Sequence, residues 1–557
     1  MPSPVPPTAP TSPGASAPTS EGATTDSTSG SDGAAIAPDE AATVKPVDPA
    51  ILAEYELPSF ARRSTQLVGV VEPDQGGFGA DAFGQADGPY LEALMRRLNA
   101  PVASRWVSIG LRQALASTVT TPSRVGGADF AAERAWLLIR MGESVVARAL
   151  VSAIDNDQYT PKLLQVAMQA ALANGDPAAV CPIVDQGKAA LNEPGWVLAK
   201  AICTGLSGEP RAAGPLIDSA RRQRIAGGID LLLAEKAVGA GSNGRRAVTI
   251  EWDGVDRLTI WRYGLATATA AEIPADLFAT AAPQARYWFA QSPVWPAQIK
   301  LDAAERAASQ GVFSNTALVG LYGEVLQQED AGAAETSIAQ DLRSAYSEAT
   351  LAGRMAAFRQ LWNEPKAART RYARLILTAR AAALLPPTAK NDDAGRLIAS
   401  MLTAGLVEQA LRWRSAVTRG SDGWAMLTLA DRNDAVRLNR ADVTAYQPAE
   451  TGNGPGKAQM YFAGLAGLGR LDIGTMEQLA PSMNVRIGLE NSWTRALDRA
   501  VAQRAPGTVM VLAAVGMQTN DWRGVSPEAL FRIVSAMRRV GLMGQARMVA
   551  VEALTRL

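Results

Sequence analysis

The side chains able to do chemistry are few, and the 557-residue chain contains no histidine. Histidine supplies most general bases near neutral pH and the commonest metal-binding nitrogen. Ser-His-Asp and Cys-His nucleophiles and His-ligated zinc are therefore excluded. Two cysteines, Cys181 and Cys203, are too few for a Cys-only zinc site or an iron–sulfur cluster within one chain. Carboxylate, Ser-Lys and magnesium chemistry remain. A lone catalytic carboxylic acid needs a desolvated cleft that raises its pKa. Glu490, singled out only by the resemblance given below, also reads as a cap or decoration of a helix beginning nearby. Asp392-Asp393, as a magnesium pair, competes with its reading as the acidic first turn of a helix after Asn391.

The glycines between Gly76 and Gly84 would cradle a phosphate only between a strand and a helix, with a Lys or a helix N-terminus aimed at the anion. No strand signal precedes them and no Lys follows, so the stretch reads as a flexible linker with two aromatic anchors, Phe78 and Phe83. An aromatic cluster at Trp288, Phe289 and Trp295, around Pro293 and Pro296, reads as packing between helices, because large aromatics bury most of a core's area. No catalytic residue, cofactor or metal ligand is expected.

The elements that would position any site are helices in a repeating array. Gly142-Glu143-Ser144, Gly175-Asp176-Pro177 and Gly208-Glu209-Pro210 recur 33 positions apart. Each lies between two apolar runs of helical spacing, so Gly142, Gly175 and Gly208 are expected to make the turns of helical hairpins. Pro161 and Pro194, also 33 apart, open the first helix of units two and three, where a missing N–H costs nothing. Ala178 to Asp185 aligns with Arg211 to Asp218 after the turns. A period in the low thirties built from helix pairs is the signature of an α-solenoid.

This spacing resembles the tetratricopeptide repeat superfamily in period and turn, over Asp129 to Arg222. With each Gly at mid-unit, the small residue of the second helix falls on Ala147, Val180 and Ala213, and the large apolar residue four on falls on Val151, Val184 and Ile217. The small residue of the first helix falls on Ala135, Met168 and Ala201, so unit two departs at both small positions. Trp136 and Trp196 do not occupy the family's early Trp position. The resemblance implies an all-α, helical-hairpin solenoid that holds a protein or peptide partner on its surface.

Hydrophobic residues at 47% and charged residues at 19% describe a globular chain, and its Ala- and Leu-rich segments favour helix. Lys plus Arg equals Asp plus Glu at 54 each, so no basic excess draws it to nucleic acid or an anionic membrane. Residues 1–50 form a Pro/Ser/Thr/Ala-rich tail with Lys45 as its one cation. The tail is too poor in apolar surface to offset its conformational entropy, and is expected to be disordered. Residues 51–88 read as a linker, 89–238 as the repeat solenoid, 247–446 as a continuing helical region and 458–557 as a C-terminal helical subdomain, with loops at Gly239–Arg246 and Gln447–Lys457. Val248 to Trp252 is compatible with a short strand, but Leu258, Ile260, Trp261 and Leu265 are as consistent with a helix. Ala404-Gly405-Leu406 and Val540-Gly541-Leu542, 136 positions apart, carry the hairpin logic towards the end. No run is long and uniform enough to span a bilayer.

Two function classes follow. The first is a non-enzymatic interaction scaffold without cofactor. The second rests on resemblance: Glu490 with Ser492, and Gly516-Met517-Gln518, resemble the Glu-Ser and Gly-Leu-Met-Gln segments of soluble lytic transglycosylases, peptidoglycan-cleaving enzymes on helical solenoids. Ser does not directly follow Glu490, and the Leu before Met517 is missing.

The cysteines bear on location. Cys181, early in the second helix of unit two, and Cys203, late in the first helix of unit three, lie equally far from a turn near Asn192. Antiparallel packing then sets them at one height. A disulfide is expected, the alternative being two buried thiols acting as small apolar residues. A bond implies an oxidising compartment, hence a periplasmic or secreted protein, and reduced thiols a cytoplasmic one.

Overall fold

The computed structural model describes residues 61–241, 248–328, 332–388, 391–446 and 456–557. The tail expected over 1–50 and most of both predicted loops lie outside them. Arg62–Leu557 is one compact unit.

The chain is all-α, with helices following one another from Gly88–Arg97 to Met543–Arg556. The strands among the described residues are Leu67–Val68 and Val119–Thr120, paired antiparallel. Helix starts are set by local chemistry. Side-chain oxygens of Ser104, Thr160 and Ser526 accept the N–H of Val107, Leu163 and Ala529, satisfying a donor the helix itself leaves open. Pro161, Pro194 and Pro527 begin their helices.

Turns form at all three of the spaced glycines, between helical segments. Gly127–Met141 turns into Ser144–Val151, Pro161–Ala173 into the segment after Gly175, and Pro194–Leu206 into Pro210–Arg222. At each turn the glycine is left-handed, with φ of +91° at Gly142, +64° at Gly175 and +88° at Gly208. The same two bonds close each hairpin: Gly142 N–H to Ile139 O and Glu143 N–H to Leu138 O, then Gly175 to Leu172 and Asp176 to Ala171, then Gly208 to Gly205 and Glu209 to Thr204. This is the paired C-terminal closure that a left-handed residue allows. Gly405 and Gly541 repeat it, through Leu406 to Met401 and Leu542 to Met537.

Three features depart from the sequence reading. The second helix of unit two is broken: Pro177–Ile183 is a 3₁₀ helix and Val184–Ala190 an α-helix. Pro182 lies inside the 3₁₀ run, where its missing N–H and its ring oppose a regular α-helix. Val248 to Trp252 is irregular, and the helix begins at Ile260. Finally, residues 62–87, expected as linker, are mostly exposed but pinned to the helices by a few buried side chains. Phe78 and Phe83 are buried, Phe83 edge-on to Phe130 at 5.4 Å. Phe78 N–H donates to Ser117 Oγ at 2.8 Å, and Ala82 O accepts Gly507 N–H at 2.7 Å. The expected anchors hold the segment, and Gly69 lets its backbone approach Thr118 closer than any Cβ would permit.

The array closes on itself. Arg105–Ala116 packs against Pro506–Gly516 and Met543–Arg556. At the junction Glu552, near the end of the chain, is buried and accepts from Ser104 Oγ at 2.6 Å, Arg105 N–H at 2.8 Å and Trp106 N–H at 3.2 Å. The Arg105 side chain, also buried, donates to Ala308 O at 2.8 Å and Thr403 O at 2.9 Å, tying down the ends of two middle helices.

Candidate functional site

The first helices of units one and two, Gly127–Met141 and Pro161–Ala173, pack together, with Gly88–Arg97 against the former and Ile260–Ala268 against the latter. All four contribute to a groove of about 510 Å³. Val166, Met168 and Leu172 form buried parts of its wall, Trp136 and Ile260 are half-buried, and Gln165 and Glu193 are exposed at its mouth, joined by a 2.9 Å hydrogen bond.

Charge in the groove is organised around Glu133, which is 2% exposed. Its Oε1 accepts from Arg96 Nε at 3.0 Å and lies 2.9 Å from Lys162 Nζ, which also reaches Glu92 at 2.8 Å. The hydrogen bond and charge of Glu133 raise the Arg96 pKa above its usual value. Glu133 Oε2, equally buried, has no partner among the described residues. A buried carboxylate oxygen without a donor is costly. Beside it Arg140 donates to Leu98 O at 2.7 Å and Met95 O at 2.5 Å, and its guanidinium lies 5.8 Å from the Trp136 ring centre. Burial lowers the Arg140 pKa. Those bonds hold the Gly88–Arg97 helix end and the Trp136 face in place.

The residues singled out from sequence lie elsewhere. Gly142, Gly175 and Gly208 shape the hairpins and do not line the groove. Cys181 and Cys203 are bonded to each other, with Cα atoms 5.4 Å apart, and staple the 3₁₀ segment to Pro194–Leu206. Glu490 is exposed, and Asn491 after it caps the helix Ser492–Ala502 in a reciprocal pair with Thr494, both bonds 2.9 Å. Asp393 precedes the helix Ala394–Thr403 and pairs with Arg359 at 2.7 Å. Trp288 donates to Ile139 O at 3.1 Å, and Phe289 packs between Phe278 and Trp295, so the aromatic cluster docks one helix onto the first repeat unit. Among the described residues no group of three or more metal-ligating side chains gathers, and no helix is long and apolar enough to cross a membrane.

The groove residues left no motif, but one signal pointed to them. Lys162, Gln165 and Gln169 recur at helical spacing on one face of an otherwise apolar helix. Comparison with family models, curated proteins and solved structures gives no match.

Proposed function

We propose that this chain is a non-enzymatic interaction scaffold that holds an extended segment of a partner protein in the groove between its first two repeat units. The observation that carries this reading is Glu133 Oε2, buried and lacking a donor beside apolar wall residues. The segment that fits presents an apolar side chain to Val166 and Ile260 and a backbone N–H or cationic side chain to Glu133. The carboxamides of Gln165 and Gln169 can pair with peptide groups on either side. The resemblance in period and turn to tetratricopeptide repeats supports a partner held on a helical-hairpin surface. The Cys181–Cys203 bond supports a periplasmic or secreted setting, where disulfides persist.

Selection from a random peptide library tests this. Enriched peptides carrying an apolar residue next to Lys or Arg, whose binding falls at least tenfold in Gln165→Arg/Gln169→Arg, support it. Failure to enrich any such peptide, or binding unchanged in that variant, overturns it.

A further inference from the structure

A second cavity, of about 830 Å³, lies away from the groove and shares no residue with it. Its wall comes from Ala297–Ser309, the first turn of Ala368–Ala383, the loop at Asn520–Arg523 and the end of Met543–Arg556. The chain as a whole balances its charges at 54 each. This cavity does not: seven Arg and Lys side chains line it against three Asp and Glu side chains.

These three acidic side chains are already engaged. Asp302 pairs with Arg306 at 2.8 Å, Asp521 with Arg523 at 3.5 Å, and buried Glu305 with Arg374 at 2.9 Å and Tyr322 Oη at 2.6 Å. Arg369, Arg371 and Arg396, all exposed, have no Asp or Glu of the described residues within ion-pair range. Arg371 donates to Lys366 O at 2.5 Å and Arg396 to Asn363 Oδ1 at 3.0 Å, each through one of the five N–H donors of its guanidinium.

Two further kinds of donor belong to residues that line the same space. Helix Ala368–Ala383 starts at Ala367 with no side-chain cap, and residues 367–372 all line the cavity. Its first N–H groups and positive dipole end therefore lack a side-chain acceptor. Trp522, which also lines the cavity, is 1% exposed and its Nε1–H has no partner among the described residues. Indole N–H can only donate. Guanidinium, backbone and indole donors share one need, an acceptor, and the guanidinium charges and the helix dipole favour a negative one. Planar guanidinium forks match phosphate oxygens bidentately. The volume greatly exceeds the roughly 30 Å³ occupied by one water in the liquid, so a single oxyanion would leave it largely empty.

We propose that this cavity binds a small organic molecule bearing two or more phosphate groups, held by Arg371, Arg396, the Ala368 helix N-terminus and the Trp522 indole. The site is independent of the peptide groove.

Calorimetric titration of the full chain with inorganic pyrophosphate tests it, with citrate as the carboxylate probe. Saturable pyrophosphate binding is expected, weakening with added salt and at least tenfold weaker in Arg371→Glu/Arg396→Glu. Both arginines are exposed, so the variant should keep the parental circular dichroism. If it does not, Arg371→Gln alone should show a smaller loss in the same direction. The indole N–H resonance missing in Trp522→Phe should shift on binding. Absence of saturable binding at millimolar pyrophosphate, an adventitious ion only with affinity unchanged in the arginine variants, an unmoved Trp522 resonance, or tighter binding of citrate would each overturn the assignment.

Discussion

A Cβ placed on Gly142 would lie 2.6 Å from Tyr287, whereas one on Gly208 would meet nothing within 4 Å. Both glycines are left-handed, and an L-residue there costs about 1 kcal/mol or somewhat more. Gly208→Ala should therefore lose about 1 kcal/mol in urea unfolding, and Gly142→Ala distinctly more because Tyr287 must shift. Equal losses would mean that backbone strain alone sets the effect. The same comparison explains how far the repeat could be read. Turns built on glycine announce themselves, but Arg224, Ala270, Asn484 and Arg504 adopt positive φ too, each with the next residue's N–H closing back on its helix. Those turns carry no glycine, so they were not legible in sequence. Glu490 belongs to this scale as well. Exposed before a helix cap, it lacks the desolvation a lone general acid requires. Incubation with peptidoglycan should release no soluble muropeptides, and release abolished by Glu490→Gln would reverse that conclusion.

Among the elements, the second half of unit two departs furthest from regular α-helix, and the disulfide ties it to the first helix of unit three. That half is split by Pro182 into 3₁₀ and α segments, and 3₁₀ bonds are poorer in geometry. The disulfide spans 22 residues. Loop closure of that size stabilises by about 3 kcal/mol in the chain-entropy model. Cys181→Ala/Cys203→Ala should lower stability by about 2–3 kcal/mol, with new protease cleavage first appearing between Asp176 and Leu191. Thiol titration of the unfolded, unreduced protein should find no free thiol. The pairing was legible because both cysteines lie at one height on neighbouring antiparallel segments. The break at Pro182 was readable too, since proline opposes regular helix, but the 33-residue alignment suggested an unbroken hairpin. The groove was less legible than either. Its charge centre joins Arg96, Glu133 and Lys162 from three helices, and no local pattern links them.

For the whole molecule, the decisive contact joins residues more than 440 positions apart in sequence, and nothing local predicts it. An open solenoid unfolds from its ends, each repeat holding only its neighbours. Here Glu552 occupies the N-terminus of Arg105–Ala116, where a carboxylate meets unpaired N–H groups and the positive dipole end, while Arg105 binds two helix ends from the middle of the chain. Arg556 adds bonds to Glu552 at 3.1 Å and Ala103 O at 2.8 Å, and its guanidinium lies 4.7 Å from the Tyr372 ring centre. Breaking one partner of a buried charged cluster costs about 3–5 kcal/mol, because the remaining groups stay buried without compensation. Glu552→Ala should therefore destabilise by about that amount, and Glu552→Gln by less, since the amide oxygen still accepts. The sharper test is where the loss appears. If closure couples the two ends, hydrogen exchange in Glu552→Ala should accelerate both in 105–116 and in 543–556, and also near Ala308 and Thr403. Acceleration confined to the last helix would mean that the ends touch without sharing stability, and that the array behaves as an open solenoid.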